Sequence, residues 1–108
     1  MTPAQIAPYI GKYLLAGLTY VDDNENVINR EELHGFIIRI NAEEGMVVRM
    51  ENGEEFLLPH NLSALQKAEP GEYYLQSAEE IVVDPDYVAV WMIRVPDSAI
   101  PGREGSGS

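Results

Sequence analysis

Residues 33–65 read LHGFIIRINAEEGMVVRMENGEEFLLPHNLSAL, and the fold turns on how they pair. Three short apolar runs are separated by two turn signals, Glu43-Glu44-Gly45 and Glu51-Asn52-Gly53, which is the pattern of a tight antiparallel meander. A two-residue Asn52-Gly53 loop would set Glu51 against Glu54 and Met50 against Glu55, opposing like charges and placing acid beside apolar side chains. A three-residue loop, Glu51-Asn52-Gly53 with Gly53 left-handed, instead pairs Met50 with Glu54, Arg49 with Glu55 and Val48 with Phe56. Met46, Val48, Met50, Phe56 and Leu58 then share one face. A one-residue slip would exchange the faces, so packing selects the three-residue loop.

The run before this hairpin has the same period. Phe36, Ile38 and Ile40 alternate with Ile37 and Arg39, as a strand requires. Gly35 inside the run suggests a bulge or a bend. Pro59 ends the third run because it cannot donate to a ladder. Asn61 is placed to cap one helical turn carrying Leu62 and Leu65.

Outward from the meander, Thr2-Pro3 opens a short helix with Thr2 as N-cap and Gly11 as its stop. Residues 12–21 form a strand that is apolar on both faces, which predicts a central position. Residues 22–26 (DDNEN) are a polar loop, and residues 27–30 resume an extended path. Pro70-Gly71 and Asp84-Pro85-Asp86 mark turns around short strands at 72–76 and 81–83. Residues 87–95 are the last strand, with Tyr87, Ala89, Trp91 and Ile93 on one face and Val88, Val90, Met92 and Arg94 on the other. These are six or seven short strands, with Gly or Pro at most corners. They predict an all-β domain over residues 1–97: a small, partly open SH3-like barrel of about six strands. A short N-terminal helical turn plugs one end, and a one-turn helix follows the fourth strand. Residues 98–108 are expected to be a flexible tail, and its end, Gly105-Ser106-Gly107-Ser108, has the composition of an added linker.

The segments His34–Ile40, Glu44–Val48, Asn52-Gly53 and Phe56–Pro59, with Pro70-Gly71-Glu72-Tyr73 and Asp84-Pro85-Asp86-Tyr87, resemble small uncharacterised bacterial single-domain proteins with an SH3-like barrel. The resemblance implies a barrel that binds something, and it carries no catalytic residues across.

Eighteen acidic residues face seven Lys and Arg among 108 residues, a net charge of −11. Such a surface repels nucleic acid and anionic membranes; it would attract a cationic protein, or it serves only to keep the protein soluble. Arg39, Arg49 and Arg94 are the one combination that could make a local basic patch. Cysteine is absent, which fits a reducing cytoplasm, the expected location. No basic-then-apolar leader opens the chain, and no segment reaches the roughly 20 apolar residues of a membrane span.

The candidate chemistry is sparse. Asp22, Asn24 and Asn26 have the spacing of a calcium loop, but Val27 stands where that loop needs Gly and Leu33 where it needs Glu. His34 and His60 would meet if the second and fourth strands pair, and nearby acids would then complete a metal or small-molecule site. No elbow glycines flank Ser63 or Ser77, so a serine nucleophile lacks its turn. The paired carboxylates Glu31-Glu32, Glu43-Glu44, Glu54-Glu55 and Glu79-Glu80 are adjacent on extended chain and point apart. Tyr9, Tyr13, Tyr20, Tyr73, Tyr74, Tyr87 and Trp91 cannot all be core, so either Trp91 centres the core with the tyrosines on the barrel rim, the favoured arrangement, or several line a peptide groove.

The reading that follows is a non-enzymatic acidic protein-binding module without cofactor. In its specific form it is an inhibitor or immunity-type partner of a cationic protein, with Asp22, Asp23, Glu25, Glu51, Glu54, Glu55 and Tyr74 as the contact residues. The alternative is a metal or small-molecule domain using His34, His60 and acids. A third is self-association through an exposed barrel edge.

Overall fold

The structure is a computed structural model that describes residues 2–75 and 79–96. The expected tail lies outside the described residues, as do Ser77 and Ala78 of the turn at 77–80. A helix α1 (Pro3–Ile6) runs into a 3-10 turn (Ala7–Tyr9). Strands β1 (Tyr13–Val21), β2 (Val27–Asn41), β3 (Gly45–Arg49) and β4 (Glu55–Leu58) follow. After a 3-10 turn (Leu62–Ala64) come β5 (Gln66–Lys67), β6 (Glu72–Tyr74), β7 (Ile81–Val83) and β8 (Tyr87–Arg94). The chain is mostly β.

The hairpin register is the one that packing selects. Arg49 faces Glu55, Val48 faces Phe56 and Met46 faces Leu58. Met50 N–H donates to the Glu54 carbonyl at 2.9 Å, and Gly53 turns the chain at φ +88, a conformation that only glycine adopts freely. The N-terminal helix is capped as its sequence predicts. Gln5 N–H donates to Thr2 Oγ1 and Thr2 N–H donates to Gln5 Oε1, a reciprocal capping box. Asn61 caps the second 3-10 turn through Ser63 N–H.

The expected barrel does not close. Six strands form an open sheet in the order β4-β3-β2-β1-β8-β5, while β6 and β7 pair only with each other. Closure would need β4 to meet β5 or the β6–β7 hairpin to bridge them. The sheet instead continues past β1 because β8 adds to it in parallel, from Leu14 opposite Tyr87 to Val21 opposite Arg94. The two-residue β5 then ends the sheet. With no barrel mouth to plug, α1 and the turn after it lie against the core through Ile6 and Tyr9. Tyr9 meets Tyr87 at 5.2 Å between ring centroids.

One face of the sheet carries the core. Leu14, Ala16 and Leu18 of β1, Leu33, Ile37 and Ile40 of β2, Met46 and Val48 of β3, Leu58, Leu65, Ala89 and Trp91 form one buried cluster. Each such aliphatic side chain contributes roughly 1.5–3 kcal/mol on burial. The face assignment of β2 departs from simple alternation. The β2–β3 register shifts between Ile37 and Arg39, so an extra residue, Ile38, is accommodated there and both Ile37 and Ile40 face inward. Phe36, read on the same face as Ile40, is 53% exposed on the other side. Gly35 is not the bulge. A Cβ there would collide with the Arg49 carbonyl, so glycine is needed for close approach of β3. Residues 27–41, read as two segments, are one continuous strand.

The β6–β7 hairpin lies beside Tyr13, His34 and Phe36 on the face away from the core, with Val82 buried. It is anchored at β1, where Tyr13 N–H donates to Asp86 Oδ2 at 2.9 Å and Asp86 N–H donates to the Tyr13 carbonyl at 2.9 Å. No helix of the described residues is long and apolar enough to cross a membrane.

Candidate functional site

Once Leu33, Gly35 and Ile37 are set towards the core and β3, alternation directs Glu32, His34 and Phe36 to the opposite face. His34 is the centre of what gathers there. Its Nδ1 lies 2.5 Å from the Tyr13 hydroxyl, and its Nε2 lies 2.9 Å from Glu80 Oε2 just before β7. A neutral ring carrying its proton on Nε2 satisfies both contacts, donating to the carboxylate and accepting from the phenol. Tyr13 stands edge-on to Phe36, with centroids 4.8 Å apart at 88°.

Two adjoining hollows open around this ring. The first, of about 300 Å³, is lined by Glu32, Leu33, His34, Met50, Glu51, Asn52 and Glu80. The second, of about 360 Å³, is lined by Tyr13, His34, Phe36, Glu51, Ile81, Val82 and Val83. His34 and Glu51 belong to both. Three elements therefore bring carboxylates to one cleft: β2 supplies Glu32, the β3–β4 turn supplies Glu51, and the chain entering β7 supplies Glu80. The Tyr13 hydroxyl lies within reach of two of these charges. Its pKa is raised above the ordinary tyrosine value, first by burial and then by the charges of Glu51 and Glu80. A cleft with carboxylates at its rim and aromatic and aliphatic walls suits a cation on an apolar stem, which gains both charge pairing and contact with ring faces.

The residues singled out from the sequence do not form one surface. Asp22, expected at the partner surface, is only 2% exposed. Its Oδ1 accepts from the N–H groups of Asn24 and Asn26 at 2.8 and 2.9 Å, and its Oδ2 accepts from Asn26 Nδ2 at 3.4 Å. The carboxylate with calcium-loop spacing thus organises its own turn. Arg94 closes the loop from β8, donating to the carbonyls of Asp22 and Asp23 and to Glu25 Oε1 at 3.3 Å. Glu55 is bound by Arg39 at 2.9 Å and Arg49 at 3.5 Å. Arg39 also grips Glu44 through two contacts of 2.7 Å, which lowers the Glu44 pKa to about 2. Glu54 is exposed in the turn, and Tyr74 is exposed with its hydroxyl donating to Glu72. The 22–25 loop follows one end of β1, whereas the 51–55 turn lies near the other, where Tyr13 faces Phe36 and Phe36 faces Arg49. Eight residues of extended chain separate the two by about 26 Å, which keeps residues 22–25 away from the cleft, and of the acids at the 51–55 turn it is Glu51 that lines it. The same separation breaks up the candidate basic patch, since Arg94 sits at the far end from Arg39 and Arg49.

His60 does not approach His34. β3 lies between β2 and β4, and His60 lines a different hollow with Ala4, Gln5, Pro8, Tyr9, Asn61 and Leu62. Among the described residues no group of three or more His, Asp or Glu side chains is placed to hold a metal ion. Ser63 Oγ donates to Asn61 Oδ1, within the cap of its own turn.

Glu32, Glu80, Tyr13 and Phe36 were not picked out as a set from the sequence. The spacing Glu32-His34-Phe36 carried part of the signal, because it puts three non-aliphatic side chains on one face of a strand. The placement of Glu80 depends on where the β6–β7 hairpin docks, and no local pattern encodes that. Comparison with family models, with curated proteins and with solved structures finds no match to this chain.

Proposed function

We propose that the protein is a non-enzymatic, acidic protein-binding module that seats a cationic side chain of its partner in the His34 cleft. The observation that carries this reading is the convergence of Glu32, Glu51 and Glu80 from three separate elements on one hollow, which adjoins through His34 and Glu51 a second hollow walled by Tyr13 and Phe36. The net charge of −11 supports it at longer range, since a charged surface steers an oppositely charged protein and speeds association. In its specific form the module is an inhibitor or immunity-type partner of a cationic protein. A metal-binding reading finds less support, because both nitrogens of His34 are already engaged and His60 is elsewhere.

Calorimetric titration with arginine-rich and lysine-rich peptides at low and high salt tests the proposal. Binding is expected at low salt and should weaken as salt rises. Glu51→Gln should weaken it by about tenfold, as loss of one charge-assisted contact does, whereas Glu54→Gln, in the exposed turn, should leave it nearly unchanged. The tyrosinate absorbance of the Glu51→Gln variant gives a second readout, since the Tyr13 titration should move down towards its ordinary value. Absence of binding at low salt, or equal binding by the Glu51→Gln and wild-type proteins, overturns the proposal.

A further inference from the structure

The remaining chemistry of the molecule lies on the flank of β8. In the sheet order β8 sits between β1 and β5, but β5 covers only Tyr87 and Val88. Among the described residues no strand pairs with that side of residues 89–94. Val95 N–H donates to the Val21 carbonyl, so the odd-numbered residues of β8 bond towards β1. The N–H and C=O groups of Val90, Met92 and Arg94 therefore point to the open flank. The side chains of Val90 and Met92 are 73% and 69% exposed. The other end of the sheet is protected, since β4 has four residues, begins at Glu55 and is followed by Pro59. Short length, charge and proline are devices that block strand addition, and β8 has none of them between residues 89 and 93.

We propose that residues 90–94 pair antiparallel with the same residues of a second copy, about a two-fold axis at Met92, joining two sheets into one. The register follows from two constraints. Outward-facing backbone groups must meet, so even-numbered residues oppose even-numbered ones, and the pairing must stay clear of Val88, which β5 occupies. Met92 then faces Met92 of the second copy, and Val90 faces the aliphatic stem of Arg94. The two most exposed large apolar side chains among the described residues are covered, and the interface is self-complementary, as two-fold contacts must be. Charge selects this occupant. No Asp or Glu lies between Tyr87 and Val95, although the chain carries 18 of them. A cationic partner gains nothing here, since the only charge on the strand is Arg94. Two copies can meet along this strand without opposing carboxylates, and the two Arg94 side chains stand about 13 Å apart in this register, beyond the Debye length of roughly 8 Å.

The net charge of −11 on each copy opposes association, so added salt strengthens the dimer. That is the opposite sign to capture of a cationic partner, and this proposal stands independently of that one. Sedimentation velocity on the full chain over a concentration series, at low and high salt, is the test. A monomer–dimer equilibrium that shifts to dimer with salt is expected. Met92→Pro removes an N–H that bonds nothing within the sheet and should abolish the dimer. Met92→Lys, which places like charges face to face, should raise the dimer dissociation constant by about tenfold or more. Circular dichroism identifies a variant that retains the fold, and either one suffices. A monomer at every concentration and salt, a dimer dispersed by salt, or a dimer retained in a folded variant overturns the proposal.

Discussion

Glu44 shows how much of this acidic surface is held within the molecule. Arg39 and Asn41 both donate to its carboxylate, at 2.7 and 3.0 Å, and hold its pKa at about 2 against an ordinary 4.5. The Arg39 pKa moves in the opposite direction, raised by the same contact with Glu44 and by Glu55. A carboxylate whose folded pKa is depressed adds stability that is fully present above its unfolded value and disappears as pH falls through the folded value. For Glu44 that window runs from 4.5 down to about 2. The group is at the surface, where solvent screens it, so the effect is modest. Urea unfolding of Glu44→Gln should show a lower midpoint than wild type near neutral pH. The two curves should converge as pH approaches about 2. Asp22 makes a larger contribution by a different route. It is nearly inaccessible and accepts from two backbone N–H groups of its own loop. Hydrogen bonds to a charged acceptor contribute about 1.5–3 kcal/mol each, offset where water can reach the freed donors. Asp22→Ala is therefore expected to cost about 2–3 kcal/mol in urea unfolding at neutral pH. A loss below about 0.5 kcal/mol, the scale of an ordinary surface substitution, would mean the loop does not depend on it.

At the level of strands and turns, what was legible followed from local rules. The three-residue hairpin loop, the Thr2 cap, the Asn61 cap and the core face of β8 each follow from a residue type and its neighbours. The departures share another cause. Alternation placed Phe36 with Ile38 and Ile40, but the register shift after Ile37 turned Phe36 outward and gave the cleft its aromatic wall. A bulge is set by how a strand bends around a core that other strands complete, so residues 36–40 alone do not announce it. The same holds for the site. Glu51 was visible as an exposed acid in a turn, and His34 as a lone polar group beside a glycine. Their common cleft with Glu80 depends on long-range contacts such as that of Asp86 with Tyr13, 73 residues apart in the chain. The parallel addition of β8 to β1 is likewise a long-range pairing, in a sheet whose end strands β4 and β5 do not meet.

For the molecule as a whole, electrostatics set two opposing responses to salt. The ion pairs at Arg39, Arg49 and Arg94 are each exposed on at least one side, and such pairs contribute about 0–1 kcal/mol and weaken as salt screens them. Against them stands self-repulsion among the carboxylates that give the chain its net charge of −11, which destabilises the compact state and is also screened. Seven Lys and Arg cannot neutralise 18 acids, and Arg39 alone accounts for two of the paired carboxylates. The eleven acids in excess of the cations outnumber those ion pairs, so relief of repulsion outweighs loss of the pairs. Raising the concentration of a neutral salt such as sodium chloride should therefore increase the urea midpoint at neutral pH. The gain should shrink at pH near 4, where carboxylates begin to protonate and the repulsion fades. Measurement at a protein concentration low enough to keep the chain monomeric separates this effect from β8 pairing, which would add its own concentration dependence. A midpoint that falls with salt would show that the Arg39, Arg49 and Arg94 pairs, rather than the excess of acid, dominate the surface energetics.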